Sequence, residues 1–204
     1  MNEASRAYPV TLRGELTIPP NRGLWLVKWI LAIPHWFVLI FLTIAFIVAS
    51  IIAFFAILFT AKYPKGLFDY NVGVLRWWWR VGFYSYSANG TDKYPPFSLQ
   101  PDPNYPADLD IPYPEKLSRG LIWVKWWLLA IPHYIVTGIF GGWSKNIGLI
   151  FALVIIAAVK LLFTGKYDKD IFKLVIGMNR WSFRVSAYAG LMRDEYPPFR
   201  LWDE

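Results

Sequence analysis

The sequence predicts an all-α membrane protein built from two tandem pseudo-symmetric units, each a transmembrane helical hairpin, an amphipathic interfacial helix and short extended Pro-rich segments. Three observations predict this: an apolar composition, two long runs almost free of charge, and an internal repeat. Of 204 residues, 56% are hydrophobic, 19% aromatic and only 17% charged. A water-soluble globule of that length needs more polar surface. Leu24 to Phe59 carries one charge, Lys28, and Leu121 to Phe163 carries Lys125, Lys145 and Lys160. Both runs exceed the roughly eighteen apolar residues that signal a spanning helix.

The repeat is read block by block. Arg22-Gly23-Leu24 returns as Arg119-Gly120-Leu121, and Leu31-Ala32-Ile33-Pro34-His35 returns unchanged as Leu129-Ala130-Ile131-Pro132-His133. Phe59-Thr60-Ala61-Lys62-Tyr63 matches Phe163-Thr164-Gly165-Lys166-Tyr167. Arg76-Trp77 with Arg80-Val81 matches Arg180-Trp181 with Arg184-Val185, and Tyr94-Pro95-Pro96-Phe97 matches Tyr196-Pro197-Pro198-Phe199. The order is conserved between the copies and the spacing changes little, which is the signature of duplication. The units run over residues 8–104 and 105–204, and the Pro- and Asp-rich stretch 101–114 spans their junction.

At these blocks the chain resembles a bacterial membrane family, domain of unknown function 4389, twice over and along nearly its whole length. The resemblance implies a bacterial membrane location and brings no established activity with it.

Taken in chain order, Met1 to Pro20 lacks the apolar core of a cleavable signal, so the first apolar run is expected to act as an uncleaved signal-anchor. That run would measure about 54 Å as a straight helix, against a hydrocarbon core of about 30 Å. In the second copy, Gly141-Gly142-Trp143-Ser144-Lys145-Asn146 has the composition of a turn in mid-run, which predicts a hairpin. Transferring it to the first copy gives four membrane helices, although Thr43-Ile44-Ala45 shows no turn there. With hairpins, only Lys145 of the 21 Lys and Arg lies at a tip. That asymmetry predicts a multi-pass cell-membrane protein with both termini and the central loop cytoplasmic. One crossing per unit is the alternative, and it leaves the basic residues divided nearly evenly.

After each run a helix is expected with Phe68, Val72, Leu75, Trp79 and Phe83 on one stripe and Asp69, Gly73, Arg76 and Arg80 beside it. Lys173, Gly177, Arg180 and Arg184 repeat the basic stripe. With Trp77, Trp78, Trp79 and Trp181, this reads as a helix lying in the headgroup layer. The i, i+4 pairs Arg76/Arg80 and Arg180/Arg184 then offer guanidinium forks to phosphate oxygens. Plain snorkelling is the simpler account of the same residues.

His35 and His133 each follow a proline in an apolar helix, where imidazole could ligate a pigment or haem. The commoner role is a neutral ring bonding near the carbonyls that proline frees. Tyr-Pro-Pro-Phe is an extended segment expected to pack onto its own unit. Absent cysteine removes disulfides and thiolate sites, and no nucleophile elbow, His-rich metal motif or phosphate loop is present. The net charge of +7 flanks apolar runs, so anionic lipid and not nucleic acid is the expected acidic partner.

These features lead to a non-enzymatic scaffold or accessory subunit that uses no cofactor or metal and associates with another membrane protein or a copy of itself. The alternatives are a membrane-shaping hairpin protein, or a small transport or cofactor-binding protein using His35 and His133.

Overall fold

The computed structural model describes residues 8–16, 18–142 and 147–202. The chain is mostly helical. Strand β1 (Thr11–Gly14) precedes helices α1 (Lys28–Thr60) and α2 (Lys65–Tyr84); β2 (Ala107–Asp110) precedes α3 (Ile131–Gly141), α4 (Leu149–Thr164) and α5 (Lys169–Ala189). Among the described residues, α1 alone is long and apolar enough to cross a membrane.

Where the sequence reading expects a hairpin in the first copy, α1 is one uninterrupted helix of 33 residues. The physical reason is the absence of a breaker: from His35 to Thr60 the run is mostly Ile, Leu, Phe, Ala and Val, with no Gly or Pro. Pro34 is tolerated near the start. In the second copy the insertion does interrupt the run, but α3 and α4 together occupy the place of α1. Trp181 of α5 meets His133 and Phe140 of α3, as Trp77 of α2 meets His35 of α1. The expected exposed tip Ser144-Lys145-Asn146 lies outside the described residues. One turn before α3, Lys125–Leu129 widens to a π turn.

Both apolar arms end alike. Thr60 Oγ1 donates to Ala56 O and accepts from Lys62 N–H, and Ala61 closes α1 in the left-handed region at φ 58°. Thr164 does the same at Lys160 O and Lys166 N–H, with Gly165 at φ 71°. These bonds satisfy carbonyls that a helix end otherwise orphans, and they explain the Phe-Thr-(Ala/Gly)-Lys-Tyr block. The chain then turns back and α2 packs along α1: Tyr70 OH donates to Leu42 O (3.1 Å) and Asn71 Nδ2 to Ser50 Oγ (3.1 Å). Helix α5 begins with Asp168 as its N-cap, accepting from Asp170 and Ile171 N–H.

The expected interfacial helices are instead the most interior ones. Thirteen of the twenty residues of α2 are buried, against seven of 33 in α1. The stripe Phe68, Val72, Leu75, Trp79 and Phe83 lies wholly in the core, shared with Val175, Ile176 and Val185 of the second unit. What places these helices inside is a two-stranded antiparallel sheet, whose second strand falls in the stretch 101–114 read from the sequence as the junction between the units. Leu12 pairs with Leu109, and Arg13 with Asp108. Leu12 and Leu109 are also equivalent positions of the repeat, so the pseudo-two-fold axis passes through that pair.

The units interlock across this axis. Tyr8 OH donates to Glu195 O of the second unit (2.9 Å), and Tyr105 OH to Lys93 O of the first (3.2 Å). Leu117 N–H donates to Ala61 O (2.8 Å), so the second arm starts beside the end of the first. The Arg22 guanidinium rests on Gly165, so the first arm starts beside the end of the second. The two arms therefore run head to tail.

Candidate functional site

The repeated blocks converge on one cluster per unit. In the first, Trp77 Nε1–H donates to His35 Nδ1 (3.0 Å) while the imidazole stacks on Phe97 (centroids 3.9 Å, planes 17° apart). Tyr94 touches the same ring and donates its hydroxyl to Leu31 O (2.9 Å). In the second, Trp181 Nε1–H donates to His133 Nδ1 (3.0 Å), Phe199 stacks at 4.3 Å, and Tyr196 OH donates to Leu129 O (3.0 Å). Both histidines are fully buried. Indole nitrogen can only donate, so Nδ1 is the acceptor and the neutral ring carries its hydrogen on Nε2. This leaves neither nitrogen with a free lone pair for a cofactor, and the ring closes the Tyr-Pro-Pro-Phe strap onto the helix pair.

A buried lysine completes each cluster. Lys28 Nζ bonds Asn89 Oδ1 and Thr91 O (both 2.7 Å), lies 2.9 Å from Asp92 Oδ1 and sits over the Tyr84 ring. Lys125 Nζ bonds Asp194 Oδ1 (2.7 Å) and Arg193 O (3.0 Å) over Tyr188. Asp92 and Asp194 also accept from the backbone of Asn21 and Ser118, tying in the chain before each arm. From the sequence these lysines are only the charges near the ends of the apolar runs, with no partner named. The signal available was their equivalence, since Lys28 and Lys125 recur with Asp92 and Asp194 in the same order.

The arginines are turned inward. Arg76 Nε lies 2.9 Å from Asp108 Oδ1 and bonds Leu109 O, and its Nη1 bonds Leu99 O. Arg80 reaches Asp108 (3.3 Å) and Ser98 O. Burial pulls the Arg80 guanidinium down from its ordinary range, with Asp108 opposing. Arg180 donates to Leu201 O and Arg184 to Arg200 O, with Tyr8 against the Arg184 guanidinium. Arg76, Arg80 and Arg184 are buried, so the forks the sequence offers to headgroup phosphates serve to hold β2 and the straps. Burial also holds the Tyr8 and Tyr105 hydroxyls above their ordinary range.

Between α1 and the second unit lies an apolar crevice of about 690 Å³, lined by Phe46, Ser50, Phe54, Trp78, Trp126 and Leu191 among others. Among the described residues no three His, Cys, Asp or Glu side chains gather as metal ligands do.

The family described as Domain of unknown function (DUF4389) matches residues 22–98 and again residues 122–200. The matched spans hold the Ala-Ile-Pro-His, Arg-Trp and Tyr-Pro-Pro-Phe blocks that build the two clusters. No curated protein and no solved structure matches.

Proposed function

The chain belongs to the DUF4389 family in two tandem copies, and on that premise we propose that it is a non-catalytic integral membrane scaffold. Its two apolar arms lie in lipid, and its interlocked centre holds them at a fixed angle for a partner membrane protein or a second copy of the chain. The observation that carries this reading is the outward surface of α1: Phe41, Ile44, Ile51, Phe55 and Phe59 are each more than half exposed. So large an apolar surface is costly in water and costs nothing in hydrocarbon. The titratable groups of the two clusters support a non-catalytic role, because Lys28, Lys125, His35 and His133 are each committed to internal partners. A wedge of shallow hairpins would need a turn inside the first run, where α1 has none.

The test has two readings on one preparation. The protein should stay with membranes through alkaline carbonate extraction, and in mild detergent it should run as a complex of fixed stoichiometry, with itself or with another membrane protein. Release by carbonate, or a lone monomer at every detergent concentration, contradicts the proposal.

A further inference from the structure

The cations of this chain divide by what they touch. Lys28, Lys125 and Lys160 are held by Asp92, Asp194 and Asp168, Arg76 and Arg80 by Asp108, and Arg193 by Glu195. At the arm ends the pattern reverses. Among the described residues, Lys62, Lys116 and Arg119 beside the end of α1, and Arg22, Lys166 and Lys169 beside the end of α4, have no carboxylate partner, and all six are exposed.

Two cations of each trio line a cleft assembled from both units, and the third stands next to it. At the end of α1 a cleft of about 720 Å³ is lined by Ala61 of the first unit and by Lys116, Leu117, Ser118 and Arg119 of the second. At the end of α4 one of about 780 Å³ is lined by Leu16 and Pro19 of the first unit and by Lys166 and Lys169 of the second. Asp168 also lines it, but Lys160 takes that carboxylate (2.6 Å). Arg22 joins this end through its contact with Gly165. Three residues before Lys62 and Lys166 stand Phe59 and Phe163, 72% and 78% exposed. An uncompensated cationic cleft is thus joined twice to the last exposed apolar turn of an arm.

We infer that each cleft takes the phosphate headgroup of an anionic phospholipid, whose acyl chains follow the arm past Phe59 or Phe163. This rests on the membrane reading above. A free phosphate would meet the cations but would leave the adjoining phenylalanines uncovered, whereas a phospholipid answers both. Each cation near an anionic surface is worth about fivefold in binding, so losing two from one cleft weakens its lipid about thirtyfold.

The test uses the full chain, extracted in mild detergent from vesicles of phosphatidylglycerol and phosphatidylcholine, with retained lipid measured by native mass spectrometry. Wild type should retain two phosphatidylglycerols. The variants K116Q/R119Q and K166Q/K169Q should each lose one with the thirtyfold drop, while the exposed pair R13Q/K93Q should lose none. Equal losses in R13Q/K93Q, or no loss in either cleft variant, overturn the inference. So does competition by millimolar inorganic phosphate as effective as that by the lipid. Carbonate extraction separates the two proposals: a wild-type chain that stays in the membrane yet retains no phosphatidylglycerol defeats this inference alone, and one released by carbonate defeats the membrane reading.

Discussion

Trp77→Phe tests the role assigned to the repeated blocks. Trp77 Nε1 lies 3.0 Å from His35 Nδ1, His35 is fully buried and Trp77 is 6% exposed. Phenylalanine removes the donor together with part of the indole, so the cost is that of a buried acceptor left alone, about 1–3 kcal/mol, plus that of the small cavity the missing ring atoms leave. His35→Phe preserves a ring to stack on Phe97 while removing the acceptor. Side-chain hydrogen bonds between membrane helices average about 0.6 kcal/mol and reach about 1.7, so a coupling of about 1 kcal/mol is expected here. The assay is reversible unfolding in mixed micelles of rising SDS fraction, followed by circular dichroism. The double variant should cost about 1 kcal/mol less than the two single losses combined. Additivity within about 0.3–0.5 kcal/mol would mean that the two residues do not act as a pair. Trp181 and His133 should give the same coupling.

Three further outcomes follow from the same geometry. Lys28→Met strands Asp92, and because that side chain keeps 33% of its exposure the loss should be near about 3 kcal/mol, the lower end for a broken buried pair; adding D92N should recover part of it in the same assay. Tyr8 and Tyr105 have folded pKa values raised by burial. Their contribution to stability is therefore complete below the ordinary tyrosine value of about 10 and fades as pH climbs above it. Alkaline titration should show phenolate absorbance from these two only as the fold opens, and Tyr105→Phe should lessen the alkaline loss. Spin labels at Trp29→Cys and Phe59→Cys, in a chain without native cysteine, should lie about 45 Å apart at 1.5 Å per residue, where a hairpin would bring them within about 15 Å.

The repeat was fully legible, because the blocks recur unchanged or nearly so, and so were the apolar stripe of α2 and the packing of Tyr-Pro-Pro-Phe onto its own unit. The hairpin of the first copy was not. It was transferred from Gly141-Gly142, and an insertion that interrupts one helix says nothing about its uninterrupted twin. The inward turn of Arg76 and Arg80 escaped for a different reason: their counter-ion Asp108 lies 28 or more residues away on a four-residue strand. Alternation over Ala107–Asp110 was the available signal, yet pairing with Thr11–Gly14 across 93 to 99 positions is non-local and leaves no periodic trace in either segment. Lys28 does stand at the start of α1, as its place at the edge of the apolar run implies, but that pattern carries no sign of the cage formed by Asn89, Thr91 and Asp92.

What surrounds α1 decides whether the arms lie in lipid. Spin labels placed singly at Phe41, Ile44, Ile51 and Phe55 in proteoliposomes can be probed by collision with oxygen, which concentrates in hydrocarbon, and with a water-soluble nickel chelate. All four should show high oxygen and low nickel accessibility, with a label at Lys93 showing the reverse; nickel accessibility along α1 equal to that at Lys93 would contradict an arm that lies in lipid.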